Sequence, residues 1–285
     1  MMFDRIEKGL YWDRLWRLVD GCAPCSPGCE RCWSARYTHR FDARYVGQPP
    51  GDVDAYEHAF TDGSRFNGIV RLRHDKLELP LRTKKPQAWL ILNDLFHEDV
   101  PREFIAKSLD LAFHGYINRG HIFLFLTKRI KRMFQEFTLW AHLRGNDLAG
   151  IEGFWPGVSV CNDSELWKIG DLLQIHAAVR WVSIEPMLGE IDIYSHLTPC
   201  GVRGVDWVVL GAETGPGARP MMQYWAKSIV DQCKCAGVPV FIKQIHIPIV
   251  TGQHLHTRKT TYRISKNMNE WPENLRVREL PEIHN

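Results

Sequence analysis

The sequence predicts an α/β fold, a partial or complete (β/α) TIM-type barrel. Three observations point there: a series of short apolar runs, helical patterns between them, and polar residues where each run ends. The runs are Ala88–Asn93, His121–Thr127, Trp155–Val160, Arg180–Glu185, Asp206–Gly211 and Pro239–Lys243. None alternates between apolar and polar. Continuous apolar strands are buried on both faces, as in a parallel sheet. Between them, residues 101–117 carry Phe104, Ile105, Leu109, Leu111 and Phe113. Residues 163–177 open on Asp163-Ser-Glu and continue through Leu166, Ile169, Leu172 and Leu173. Residues 222–236 carry Trp225, Ile229, Val230 and Cys233. Strands alternating with helices imply βαβ units. A further strand near Leu15–Val19 leads into a cysteine-rich loop and adds one more stave.

Two stretches break the alternation within this single domain of residues 1–285. Residues 37–86 contain no clear βαβ unit, only a hairpin expected around Ile69–Leu81, and read as an insertion after the first strand. Residues 246–285 are polar and irregular and read as a C-terminal extension that caps the barrel.

Composition sets the outer bounds. At 285 residues and 45% hydrophobic, the chain can bury a core without disulfides. The N-terminus has no apolar h-region, so no signal peptide is expected. No apolar run reaches the ~18 residues of a membrane helix. A cytoplasmic protein in a reducing compartment follows, where clustered cysteines bind metal or do redox chemistry. The net charge of +3 is too mild to mark a nucleic-acid binder by itself.

The ends of the runs supply the candidate site. They carry Asn93-Asp94, Thr127-Lys128-Arg129, Asn162-Asp163, Glu185-Pro186, Glu213 within Gly211–Gly217, and Lys243-Gln244. In a (β/α) barrel the C-terminal strand ends form the active-site rim. The plainer reading is that strands simply exit into polar loops. The Gly211–Gly217 turn could cradle a phosphate through backbone N–H groups, although it matches neither dinucleotide nor P-loop spacing.

Four of the eight cysteines fall in one loop: Cys22, Cys25, Cys29 and Cys32. Pro24, Pro27 and Gly28 keep it out of regular structure. Four thiols could close a structural zinc site. A CxxC pair could form a redox disulfide. Alternatively, Cys25-x3-Cys29-x2-Cys32 has the spacing that ligates three irons of a [4Fe–4S] cluster. The fourth iron then stays open for S-adenosylmethionine.

The chain also resembles a known group. Gly21-Cys22…Ser26-Pro-Gly-Cys29-x-x-Cys32, Asp94-Leu-Phe-His-Glu-Asp-Val-Pro101 and Leu126-Thr-Lys-Arg129 are similar to the phage-associated three-cysteine family of radical-SAM-like proteins. So are Gly157-Val-Ser-Val160, Ser183-Ile-Glu-Pro186 and Gly215-Pro-Gly-Ala-Arg-Pro220. That family places its first cysteine at the position of Cys22, whereas the general radical-SAM pattern uses Cys25. Cys29 and Cys32 are ligands either way, and the third is Cys22 or Cys25.

The resemblance implies a [4Fe–4S] cluster, S-adenosylmethionine, an electron donor of flavodoxin or ferredoxin type, and a 5′-deoxyadenosyl radical that abstracts hydrogen. Under it, Asn93 and Asp94 meet the methionine amino group, and Ser159 and Asn162 the ribose hydroxyls. Glu185 meets S-adenosylmethionine or substrate. Lys128, Arg129, Glu213, Arg219 and Lys243 face the substrate, with Lys128, Glu185, Glu213 and Lys243 as catalytic candidates. His97 is a proton donor or a packed helix-start residue. The basic rim suits an anionic substrate, a nucleotide or DNA, and the reaction could be isomerisation of an amino-acid-bearing thymine. The alternative is a non-catalytic accessory protein that binds nucleic acid and is stabilised by zinc or an Fe–S cluster.

Overall fold

The computed structural model describes residues 3, 5–45, 65–198, 200, 203–251 and 259–282. Strand β1 (Arg14–Arg17) and strand β2 (Val19–Gly21) lead into the thiol loop, which is followed by helix α1 (Trp33–Tyr45). After β3 (Val70–Leu72) and α2 (Leu79–Arg82) the alternation begins. It runs β4 (Ala88–Leu92), α3 (Arg102–Arg119), β5 (Ile122–Thr127), α4 (Ile130–Arg144), β6 (Phe154–Ser159) and α5 (Trp167–Leu173). It continues β7 (Trp181–Ile184), α6 (Tyr194–Leu197), β8 (Trp207–Leu210), α7 (Gln223–Ala236) and β9 (Val240–Ile242). The chain closes on β10 (Ile245–Thr251) and β11 (Lys259–Ser265).

One seven-stranded sheet runs β1-β4-β5-β6-β7-β8-β9. Every pairing in it is parallel. The strands stand in chain order, with β1 and β9 at the two ends. The sheet is a curled half-barrel rather than a closed ring. The six expected runs each became one of its strands, displaced by no more than a residue or two.

Two apolar cores follow from a sheet buried on both faces. One lies between the sheet and the helices, where Ile105, Leu109, Met133, Phe137, Ile169 and Ile229 press inward. The other fills the concave side. There Phe3, Tyr11 and Trp12, ahead of β1, pack with Trp155, Trp181, Trp207 and Phe241. Trp155, Trp181 and Trp207 come from three successive strands, with ring centroids 5.5 Å apart for Trp181–Trp207 and 6.0 Å for Trp155–Trp207. Their indole N–H groups are satisfied by the carbonyls of Glu152, Trp155 and Glu279 at 2.8–3.0 Å. Gly157 faces Trp181 across the sheet, and a Cβ there would run into the indole. Much of the tryptophan content is therefore filling for the half-barrel.

The structure corrects two expectations. No hairpin forms over Ile69–Leu81. Val70–Leu72 pairs antiparallel with Val19–Gly21, and the chain then enters a 3-10 turn at His74–Lys76 and helix α2. The partner is chosen by charge: buried Asp20 on β2 takes Arg71 at 2.9 Å and Arg73 at 3.3 Å. The C-terminal extension is not irregular either. Its first part is the antiparallel pair β10–β11, aligned from Ile245↔Ser265 to Thr251↔Lys259. Residues 46–64 of the expected insertion lie outside the described residues. Helix α4 is an addition, though Ile130, Met133, Phe137 and Trp140 repeat at helical spacing and are buried.

Trp207 touches Tyr11, Trp155, Trp181 and Phe241. Trp207→Ala should cost about 3–5 kcal/mol, the range for deleting a large buried aromatic. Urea unfolding measures it. A loss below ~1 kcal/mol would mean the half-barrel is not packed this way.

Candidate functional site

A cavity opens where the strands end, enclosing about 1150 Å³ with its open mouth included. Cys22, Cys29 and Cys32 line it, together with Asn93, Asp94, Lys128, Arg129, Ser159, Glu185, Glu213 and Lys243. The topology therefore does bring the polar strand ends to one place. Cys25 is exposed and outside the lining. Asn162 is outside it too: it sits at the start of the Asp163–Glu165 turn, where its side-chain oxygen accepts from Ser164 at 2.7 Å.

The thiol loop is shaped by its own sequence and then held from two sides. Ser26 Oγ accepts from the Gly28 N–H at 3.2 Å and starts the 3-10 turn Pro27–Cys29. Gly28 lies so close to Cys161 that a Cβ would strike its sulfur. Arg129, just after β5, donates to the Ala23 carbonyl at 3.0 Å and to Cys22 Sγ at 3.7 Å, while Asp94 accepts from it at 3.0 Å. On the other side Arg219 donates to the Pro27 carbonyl and to Glu30, each at 3.1 Å, and is paired with Glu213. The glycine-rich Gly211–Gly217 turn is strapped down as well, since Arg36 donates to the Thr214 carbonyl.

Most of the expected ligand-binding side chains are already engaged within the protein. Asn93 accepts from Ser34 at 2.6 Å and donates to the Val19 carbonyl at 2.8 Å. It thus joins α1 and β2 to the end of β4. Asp94 also accepts from Thr127 and from the Phe96 N–H. Both line the cavity with these bonds already made. Glu213 serves Arg219, so it orders a loop rather than facing the cavity alone. Glu185 is bound by Lys243 at 2.8 and 3.0 Å and by Gln244 at 2.8 Å. His97 is 3% exposed and accepts from the Asp99 N–H at 3.2 Å, which is the packed helix-start role.

Lys128 differs from the other cations of the lining. Arg129 has Asp94 and Glu98, Lys243 has Glu185, and Arg31 stands 4.0 Å from Glu213. Among the described residues Lys128 has no carboxylate within ion-pair distance; its ammonium donates to Ser159 Oγ at 2.6 Å. Burial pulls its pKa down, but the nearby Cys161 and Cys29 sulfurs more than reverse this, and the net shift is upward.

The thiols are electrostatically unequal. The neighbouring Cys25 thiol, assisted by Lys128 against burial, brings Cys29 down to about 5. Burial and the Asp94 carboxylate push Cys22 up to about 12. Burial also raises Cys32. Among the described residues no three His, Cys, Asp or Glu side chains converge as a single metal ion requires.

Sequence reasoning did not single out Tyr11 or Trp12, which line the cavity, and noted Trp33 only as the aromatic residue after the last loop cysteine, where it lines the cavity too. Lys243 Nζ lies 5.2 Å from the Trp12 ring and 5.6 Å from the Trp33 ring. Trp33 follows Cys32 directly, a signal that was visible. Tyr11 and Trp12 reach the site only because the segment before β1 plugs the half-barrel.

Fold and site together define a half-barrel α/β protein with a thiol-lined cavity at its strand ends. The chain belongs to the family described as Protein of unknown function (DUF5131), whose family model matches residues 7–271. No curated protein and no solved structure matches it. No described helix is long and apolar enough to cross a membrane.

The Arg219 strap predicts a pH signature. Burial raises the Glu213 carboxyl, but the bonds from Arg219 outweigh it and hold the group below its ordinary value of 4.5. A depressed carboxyl contributes stability above 4.5 that is lost as pH falls through its folded-state value. Arg219→Gln should therefore cost about 2 kcal/mol at pH 7. The gap from wild type should close in acid, as read from denaturant midpoints against pH. A gap constant down to pH 3 would mean that this pair does not hold the loop.

Proposed function

We propose that this chain is a radical S-adenosylmethionine enzyme that holds a [4Fe–4S] cluster on Cys22, Cys29 and Cys32. The reading rests on one observation above all. Three thiols of a single loop line a half-barrel cavity beside Lys128, which has no carboxylate partner among the described residues. The donor set fits such a group. Thiolates ligate iron, and the Lys128 ammonium beside them can balance the negative charge of such a group. Cys22 is the better third ligand because it lines the cavity and Arg129 steadies its sulfur, whereas Cys25 is exposed.

When bound, such a cluster supplies the electron for reductive cleavage of S-adenosylmethionine, which yields a hydrogen-abstracting radical. The chain's own residues do the positioning. Arg129 and Arg219 fix the loop, and Lys128 and Ser159 offer a cationic, hydrogen-bonding wall. Trp12 and Trp33 offer faces for a planar group. These features support a nucleotide or nucleic-acid-linked substrate, with base isomerisation as the reaction class and a flavodoxin- or ferredoxin-type donor supplying electrons. With Lys243 and Arg219 neutralised internally, the anionic part of the substrate is left to Lys128.

Anaerobic reconstitution with iron and sulfide tests the reading. The wild type should turn brown and retain iron, and on reduction with S-adenosylmethionine should release 5′-deoxyadenosine or methionine. Cys25→Ala should keep its iron, while Cys22→Ala, Cys29→Ala and Cys32→Ala should each lose most of it. A colourless protein that takes up zinc in preference to iron contradicts the proposal.

A further inference from the structure

The lining of the cavity includes a phenol hydroxyl that bonds to no other described residue. Tyr11 is 2% exposed and lines the cavity. Its ring is locked by Trp12, Trp181, Trp207 and Phe241, with centroids 4.7–5.7 Å away. A ring held on four sides cannot swing its hydroxyl out to bulk water. Among the described residues that hydroxyl has no hydrogen-bond partner. Its oxygen is reachable from the cavity, where a water or a ligand atom can bond it. Burial, and then the Glu185 charge, push its pKa well above the usual phenol value, so it stays a donor at physiological pH.

The surroundings state what could satisfy it. Glu185 and Lys243 stand at the same cavity and cancel each other's charge, with Gln244 completing the carboxylate's bonds. An anion placed there would meet a carboxylate as well as an ammonium and gain little. The nearby walls are apolar or aromatic: Trp12, Leu90 and Leu126. Flat faces favour a flat ligand. We propose that Tyr11 marks a subsite at the cavity floor that takes an uncharged planar group presenting a carbonyl oxygen, which accepts from the Tyr11 hydroxyl. This rests on the reading that the cavity holds a substrate. It adds that the deeply seated end of that substrate is neutral and carbonyl-bearing, whereas its charged end lies toward Lys128.

The test needs no cluster, so it stands apart from iron binding. Saturation-transfer NMR can measure binding of 2-pyridone, a planar ring with a carbonyl, and of benzene, the same ring size without one. The protein used is the full chain, as wild type, Tyr11→Phe and Tyr224→Phe. Tyr11→Phe keeps the ring and its packing and removes only the hydroxyl, and its unfolding midpoint reports that the fold is retained. Tyr224 is 61% exposed on α7 and serves as control. We expect 2-pyridone to bind the wild type saturably and Tyr11→Phe about tenfold more weakly, the size of one neutral hydrogen bond. Benzene should bind both alike, and Tyr224→Phe should match wild type. Equal 2-pyridone affinity in wild type and Tyr11→Phe, or no saturable binding to wild type, overturns the subsite and leaves water as the partner of the phenol. Loss of iron binding with this pattern intact would remove the radical reading and keep the subsite.

Discussion

Two guanidinium groups hold the thiol loop over the open mouth of the half-barrel, and the arrangement of the site depends on them. A loop with Pro24, Pro27 and Gly28 cannot organise itself by helix or strand bonds. Its carbonyls need donors from elsewhere. Arg129 supplies them at Ala23, from the end of β5, and Arg219 at Pro27, from the loop after β8. Each arginine is held by a carboxylate from its own side of the barrel, Asp94 and Glu213. The planar, multi-donor guanidinium suits this bridging role, which a lysine could not fill with one point charge. The loop is thereby tied to strands at separate places in the sheet, and its three inward thiols keep a common direction.

That scaffolding accounts for much of the charge on the rim. A cluster of charged residues at strand ends invites the reading that each one touches a ligand. Here the carboxylates mainly fix arginines and lysines, and Asn93 mainly fixes neighbouring backbone. What remains for a ligand is smaller and better defined: the thiols, Lys128 with Ser159, the indole faces of Trp12 and Trp33, and the Tyr11 hydroxyl.

The strands were legible because residues buried on both faces leave a continuous apolar run, and each of the six runs did so. The convergence of their ends was legible from the fold class alone, since parallel strands place every C-terminal end on one side. The thiol loop declared itself by density. Other features were hidden for physical reasons. Val70–Leu72 looked like half of a local hairpin because pairing is set by Asp20, some fifty residues earlier, through Arg71 and Arg73. The β10–β11 pair was masked by Pro248 and by its polar face, which is exposed. Sequence position could not reveal that Asn93 and Asp94 were already bonded, because their partners Val19, Ser34 and Arg129 come from other elements. Tyr11 gave no signal, since a residue ahead of the first strand reaches the cavity only when the half-barrel closes around it.

The central claim is that Cys22, Cys29 and Cys32 grip one polynuclear iron–sulfur body. X-ray absorption at the iron edge of the reconstituted protein measures it most directly, because it reports the neighbours of each iron. The account predicts a sulfur shell together with iron neighbours, unchanged in Cys25→Ala. Iron surrounded by sulfur with no iron neighbour, or a spectrum that disappears in Cys25→Ala and persists in Cys22→Ala, would contradict it.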